Sequence, residues 1–123
     1  MSDLNNLADR YIAIWNEEDA DKRAAAISEL FTADATYTDP LADVAGHEGI
    51  GAVIAGGRDQ FKGFDFKVLG EADSNHNITR FQWELLPAGG SENIVIGFDV
   101  LATDATGKVK SVYGFLDKVP AGA

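Results

Sequence analysis

The chain has 123 residues, 46% of them apolar, enough for one buried core and too few for two, so a single domain spanning 1–123 is expected. Twenty acids against ten lysines and arginines leave a formal charge of −10, the wrong sign for a phosphate backbone or an anionic bilayer, so neither nucleic acid nor membrane is an expected partner. With no cysteine there is no disulfide or thiolate chemistry; MSDLNNLADR lacks the basic-then-apolar pattern of a secretory leader, and the expected location is cytoplasmic.

Leu4, Leu7, Ala8, Tyr11, Ile12 and Trp15 recur at helical spacing, and Ser2 or Asp3 can cap the segment, so the chain is expected to open with an amphipathic helix. A turn over 16–21 leads to a second helix from about Ala20 to Thr32, with Arg23, Ile27, Leu30 and Phe31 on one side. ATYTD reads as a short extended piece, because the residue before Pro40 is pushed out of helical space. A short third helix is expected from His47 to about Ala55, with Gly56 and Gly57 as its stop. Beyond Gly63 the pattern changes to strands: FDFKVLGEA, HNITRFQWELL, NIVIGFDVLAT and KVKSVYGFLDKV, separated by DSN, PAGGSE and DATG. Helices followed by strands define an α+β class in which a curved antiparallel meander wraps the helical layer.

Three polar residues stand out against this scaffold. Proton abstraction beside a carbonyl needs a carboxylate base and donors that meet the charge growing on the oxygen. Asp39, at a strand end before Pro40, suits the base, although an aspartate there also braces a turn. Tyr11 shares the helical stripe of Leu7 and Trp15 and offers one hydroxyl on an apolar ring, as an oxyanion donor or as a core tyrosine bonded to a carbonyl. Asp99 interrupts the apolar run NIVIGFDVL, where strand propensity would not put an acid. It is either an inward charge guarding an edge or a pocket residue, and a protonated Asp99 would be a second donor. Trp15, Trp83, Phe115 and His47 are expected to line the pocket. His47 and His76 are far apart and belong to no ligand spacing, so no metal site is expected; glycine patterns for nucleotides and the GxSxG elbow are also missing. The strands carry apolar residues at both parities, Ile94, Ile96 and Phe98 against Val95 and Leu101, so the outer sheet face calls for a cover and a homodimer is expected.

The helices, the turn YTDP and the run GFDVLATDATGKVKSVYGFLD together resemble the SnoaL-like, nuclear-transport-factor-2-like superfamily over essentially the whole chain. That resemblance implies a cone-shaped α+β fold, with N-terminal helices packed on a curved, mixed but mainly antiparallel sheet. Within the superfamily the motifs are most similar to ketosteroid isomerase. Arg10-Tyr11-Ile12 matches the tyrosine of the first helix, ADATYTDP carries the base role onto Asp39, and Asp99-Val100 followed by Asp104, Gly107 and Lys108 matches the third acid. The resemblance implies cofactor-free proton transfer on a small hydrophobic ketone or polyketide-like ligand, or, without catalysis, a binding protein for such a ligand or a partner. The chain departs in Leu41-Ala42-Asp43, where family isomerases favour apolar residues. Limonene epoxide hydrolases on the same scaffold place acids where this chain has Arg80-Phe81-Gln82 and Tyr113-Gly114-Phe115, so epoxide hydrolysis is not expected.

Overall fold

In the computed structural model, which describes residues 6–120, three helices pack on one face of an open six-stranded sheet. The helices are α1 (Leu7–Asn16), α2 (Ala20–Leu30) and α3 (Gly46–Gln60). The strands are β1 (Phe31–Asp39), β2 (Ala42–Ala45), β3 (Phe64–Asn75), β4 (Ile78–Pro87), β5 (Val95–Thr103) and β6 (Val109–Lys118), in the spatial order β2-β1-β6-β5-β4-β3. All pairs are antiparallel except β1 with β6. No helix among the described residues is long and apolar enough to cross a membrane. Leu4 and the cap candidates Ser2 and Asp3 lie outside the described residues.

The four expected long strands are present, and the α+β class with its mixed sheet holds. The structure adds two strands to the expected meander. The second helix stops at Leu30, not Thr32, because Phe31 turns extended (φ −105°, ψ 148°) and begins a nine-residue strand, longer than the short extended piece expected over ATYTD. β1 gains its hydrogen bonds from β6, about eighty residues away in sequence, a pairing that no local propensity encodes. The third helix also runs five residues past Ala55, straight through Gly56 and Gly57. Each glycine costs an exposed helix about 1 kcal/mol relative to alanine. Gly57 has a packing reason to be there, since a Cβ would lie 3.0 Å from Cζ3 of Trp15.

Alternation along the strands sorts the side chains onto two faces. Ala35 and Tyr37 of β1, Phe66 of β3, Phe81 and Leu85 of β4, Val95 and Leu101 of β5, and Val112 of β6 are buried towards the helices with Leu7, Tyr11, Ile12, Ile27, Leu30, Ile50 and Ile54. Helix α1 is fastened to β3 by a side chain that imitates a strand: Asn16 donates to the Phe66 carbonyl and accepts from the Phe66 amide, both at 2.8 Å. Buried Arg58 on α3 ties the same corner, donating to the carbonyls of Trp15 (3.2 Å) and Phe64 (2.9 Å). Register irregularities in β3, in β6 where it pairs with β5, and in the β1–β6 pair bend the sheet around this core.

Gly97 on β5 pairs with Trp83 on β4, and a Cβ there would fall 2.1 Å from the indole carbons Cε2 and Cζ2. The indole thus lies flat across the bare strand. Gly97→Ala is expected to destabilise the fold by about 1–3 kcal/mol, the usual range for overpacking, and to shift tryptophan fluorescence, because Trp83 must leave its seat. Denaturant unfolding with unchanged midpoint and spectrum would show that the indole is not held there.

Candidate functional site

Between the helices and the inner sheet face lies a cavity of about 500 Å³, within the range of ligand pockets. Its wall is aromatic. Trp15 packs tilted at 5.3 Å from Phe66, Phe66 at 5.5 Å from Trp83, and Tyr37 at 6.1 Å from Trp15, with Tyr11 edge-on at the deep end, 6.4 Å from Trp15 and 6.0 Å from Phe81. Leu41, Gln60, Phe61, Val119 and Pro120 surround the rest, and Leu41 is 83% exposed on the β1–β2 turn.

Tyr11, Asp39 and Asp99 all line this cavity. Their meeting point is a glycine. Gly114 on β6 pairs with Asp99 on β5, while β1 runs alongside β6 from the other side in the Thr38–Tyr113 register, bringing Asp39 next to the same residue. A Cβ at Gly114 would stand 2.8 Å from Oδ1 of Asp99 and 3.2 Å from Cβ of Asp39. Asp39 and Asp99 therefore flank a strand position that has no side chain between them.

Their environments differ. Asp39 is half-buried at the rim and well held: Oδ1 accepts from the amides of Leu41 and Ala42, each at 2.8 Å, and Oδ2 accepts from the hydroxyl of Tyr37. Asp99 is 5% exposed, and its pKa is pushed from 3.8 up to about 7, chiefly because burial disfavours the ionised form. The Trp83 indole offsets part of that rise, the charge of Asp39 adds to it, and the Tyr11 hydroxyl again offsets a part. Among the described residues no cation pairs with Asp99; Arg80 lies on the other sheet face, 3.3 Å from Asp73. Burial also raises Tyr11 and Tyr37 far above the ordinary phenol range, with Asp99 adding to the rise of Tyr11 and the Asp39 hydrogen bond to that of Tyr37. Both phenols stay protonated, as donors.

Tyr11 Oη is buried without a hydrogen-bond partner, and so is Nε1 of Trp15. Both groups stand close enough to bias their neighbours' ionisation, yet outside hydrogen-bond geometry to them. Trp83 and Trp15 line the cavity as expected from sequence, whereas His47 and Phe115 do not. Phe115 has the opposite strand parity to Gly114 and is 57% exposed on the outer face. His47 opens α3 on the far side of β1, with Nε2 at 2.9 Å from the carbonyl of Thr32 and 3.2 Å from that of Phe31, and it serves to join helix to strand. Tyr37 escaped the sequence reading. Its place two residues before Asp39 on one strand, hence on the same face, was the available signal.

An apolar cavity between three helices and a curved mixed sheet, with a few polar groups on its sheet side, belongs to an α+β fold of the cone class. The SnoaL-like domain family model matches residues 8–112, and the chain belongs to that family. A SnoaL-like family protein from Agrobacterium tumefaciens, described as a candidate isomerase, is 35% identical with a TM-score of 0.89, over 95% of this chain and 99% of that one. Two more distant structures share the fold. One is a SnoaL-like protein of unknown function from Burkholderia thailandensis, at 12% identity and a TM-score of 0.74, over 94% of this chain and 96% of that one. The other, from Jannaschia sp., is described as a candidate SnoaL-like polyketide cyclase, at 16% identity and a TM-score of 0.69, over 91% and 85%. No curated protein matches the sequence.

Asp99 keeps its proton in the folded chain at pH values where an unfolded aspartate has lost it. Folding is therefore penalised progressively as pH rises from about 4, and fully above about 7. Asp99→Asn has no such penalty. The stability of this variant relative to wild type is expected to improve steadily from pH 4 to pH 8, by up to about 4 kcal/mol. Urea unfolding at several pH values measures the difference, and parallel curves would mean that Asp99 ionises freely.

Proposed function

We propose that the protein is a cofactor-free isomerase or cyclase that moves a proton next to the ketone of a small hydrophobic ligand. The observation that carries this reading is the pair of unlike carboxyl groups facing one cavity across Gly114, one at the rim with a polar environment and one buried with its pKa near 7. Environments that separate two carboxyls assign one as base and the other as acid. Asp39 takes a proton from the carbon beside the carbonyl; the C–H electron pair moves into the new C=C bond and the carbonyl electrons onto oxygen. Tyr11 and protonated Asp99 donate to that oxygen as charge develops. Return of the proton from Asp39 to the γ-carbon of a β,γ-unsaturated ketone completes an isomerisation. Attack of the enolate carbon on a second carbonyl of the same ligand, whose oxygen takes the new charge and then the proton back from Asp39, completes a ring closure instead. The descriptions attached to the Agrobacterium and Jannaschia relatives support both branches as a class.

A second reading has its own observation. Three hydrogen bonds on the Asp39 carboxylate, two from the backbone of the following turn, are what a turn-bracing aspartate makes. In that reading the pocket binds a hydrophobic ligand without transforming it.

Incubation with a bicyclic or steroid-sized β,γ-unsaturated ketone, followed by the absorbance of the conjugated enone, separates the two. Wild type is expected to form enone with no added metal or cofactor. Asp39→Asn should abolish turnover with ligand affinity nearly intact, and Tyr11→Phe should slow it by about 10²–10³, the usual loss for one oxyanion donor. Ketone binding with no product would leave the binding protein as the reading. Turnover that falls above pH 7, as Asp99 loses its proton, is the accompanying signature.

We also infer a homodimer through the outer sheet face. Phe98 and Phe115 form one cross-strand row there and Val100 and Tyr113 the next, with Tyr113 48% exposed and Phe115 57%. Arg80, Gln82 and Lys118 border this apolar stripe, as a rim borders an interface. Sedimentation at micromolar concentration is expected to give a dimer, and Phe115→Lys a monomer. A wild-type monomer would remove the inference.

A further inference from the structure

Two donors that line the cavity lack a partner in hydrogen-bond geometry. Tyr11 and Trp15 sit four residues apart on α1, so their side chains rise from one helix face and meet at the deep end of the cavity. Tyr11 Oη and Trp15 Nε1 are both buried and both lack a hydrogen-bond partner. The indole N–H faces the Tyr11 oxygen closely enough to ease its ionisation, yet it does not reach hydrogen-bond geometry. A folded chain rarely buries two neighbouring donors unpaired, because each forfeits the water it left behind.

The indole is also held in place with care. A Cβ at Gly57 would stand 3.0 Å from its six-membered ring, Phe66 and Tyr37 pack tilted against it, and the backbone carbonyl of Trp15 is fixed by Arg58. A wall residue needs filling volume only. A donor needs orientation, and Trp15 has it.

We infer that Trp15 Nε1 is a ligand-binding donor that, with Tyr11 Oη, grips a single oxygen of the ligand. This deepens the ketone reading above and rests on it for the kind of ligand. An oxygen that satisfies two converging donors must offer two acceptor lone pairs and need bring no proton, which describes a carbonyl or enolate oxygen. The specificity consequence is a preference for ketones over hydrocarbons of the same shape. Trp15 acts on binding, while Asp99 enters as charge develops on that oxygen.

The protein contains two tryptophans, so a ¹⁵N-labelled sample gives two indole N–H signals. They are assigned with Trp15→Phe or, if that variant does not fold, with Trp83→Phe. At pH 6, where Asp99 is mostly protonated, the sample is titrated with 1-tetralone, a bicyclic ketone that only accepts hydrogen bonds, and separately with tetralin, the same rings without the oxygen. Tetralone is expected to move the Trp15 indole proton downfield while tetralin leaves it in place. Trp15→Phe is expected to weaken tetralone binding roughly tenfold and tetralin binding not at all. Equal shifts from both compounds, or equal weakening of both by the substitution, would reduce Trp15 to a wall residue and overturn the inference. If neither compound binds, the inference falls together with the pocket reading. If tetralone engages the indole but β,γ-unsaturated ketones are not turned over, the donor role stands and only the catalytic proposal fails.

Discussion

A carboxyl group inside an apolar sheet face is costly to ionise, and the architecture around Asp99 follows from that cost. Only a side chain 5% exposed, on a central strand, between the Trp83 indole and a bare Gly114, holds its proton near neutral pH. Solvating it would bring its pKa back to that of an ordinary aspartate. The aromatic wall buries the carboxyl, so packing and chemistry are one requirement here: the rings that supply the core's apolar area also set the dielectric in which the carboxyl titrates.

The same constraint explains the use of glycine. Trp83 lies over Gly97, Trp15 against Gly57, and the two aspartates close over Gly114. None of these three has a positive φ, so backbone freedom is not what selects them. In each case a large or polar side chain occupies the space that a neighbouring Cβ would take. The glycines weaken the helix and strands that carry them by small amounts. The tight seats they create hold the cavity side chains in fixed rotamers, as a site that acts by placement requires.

Much of this was legible in the sequence, and the misses share one cause. The amphipathic stripe of α1 and the alternation of β3 to β6 are local patterns, and they placed Tyr11, Trp15, Trp83 and Asp99 on the correct elements. The mid-strand acid was visible because it broke an apolar run. What stayed hidden depends on contacts distant in sequence. The extension of β1 back to Phe31 is decided by parallel pairing with β6, and the passage of α3 through Gly56 and Gly57 by the ring of Trp15. His47 has the look of a pocket residue until the backbone carbonyls of Phe31 and Thr32 claim it. Strand parity, once the register is known, sends Phe115 outward and gives Gly114 the inner position.

β6 carries opposite obligations on successive residues. Gly114 forms the floor between the two carboxyl groups, and its chain neighbours Tyr113 and Phe115 point through the sheet to the bare face. One layer of backbone separates them. Whatever presses on those rings presses on the strand whose position sets the gap between Asp39 and Asp99, with no inner side chain to cushion the movement. A change in how the outer face is covered thus reaches the spacing of Asp39 and Asp99 through a single layer of backbone. If the outer face is covered by a second copy as inferred above, a variant without that cover would show altered titration of Asp99 through backbone displacement of β6, with every residue of the cavity itself unchanged.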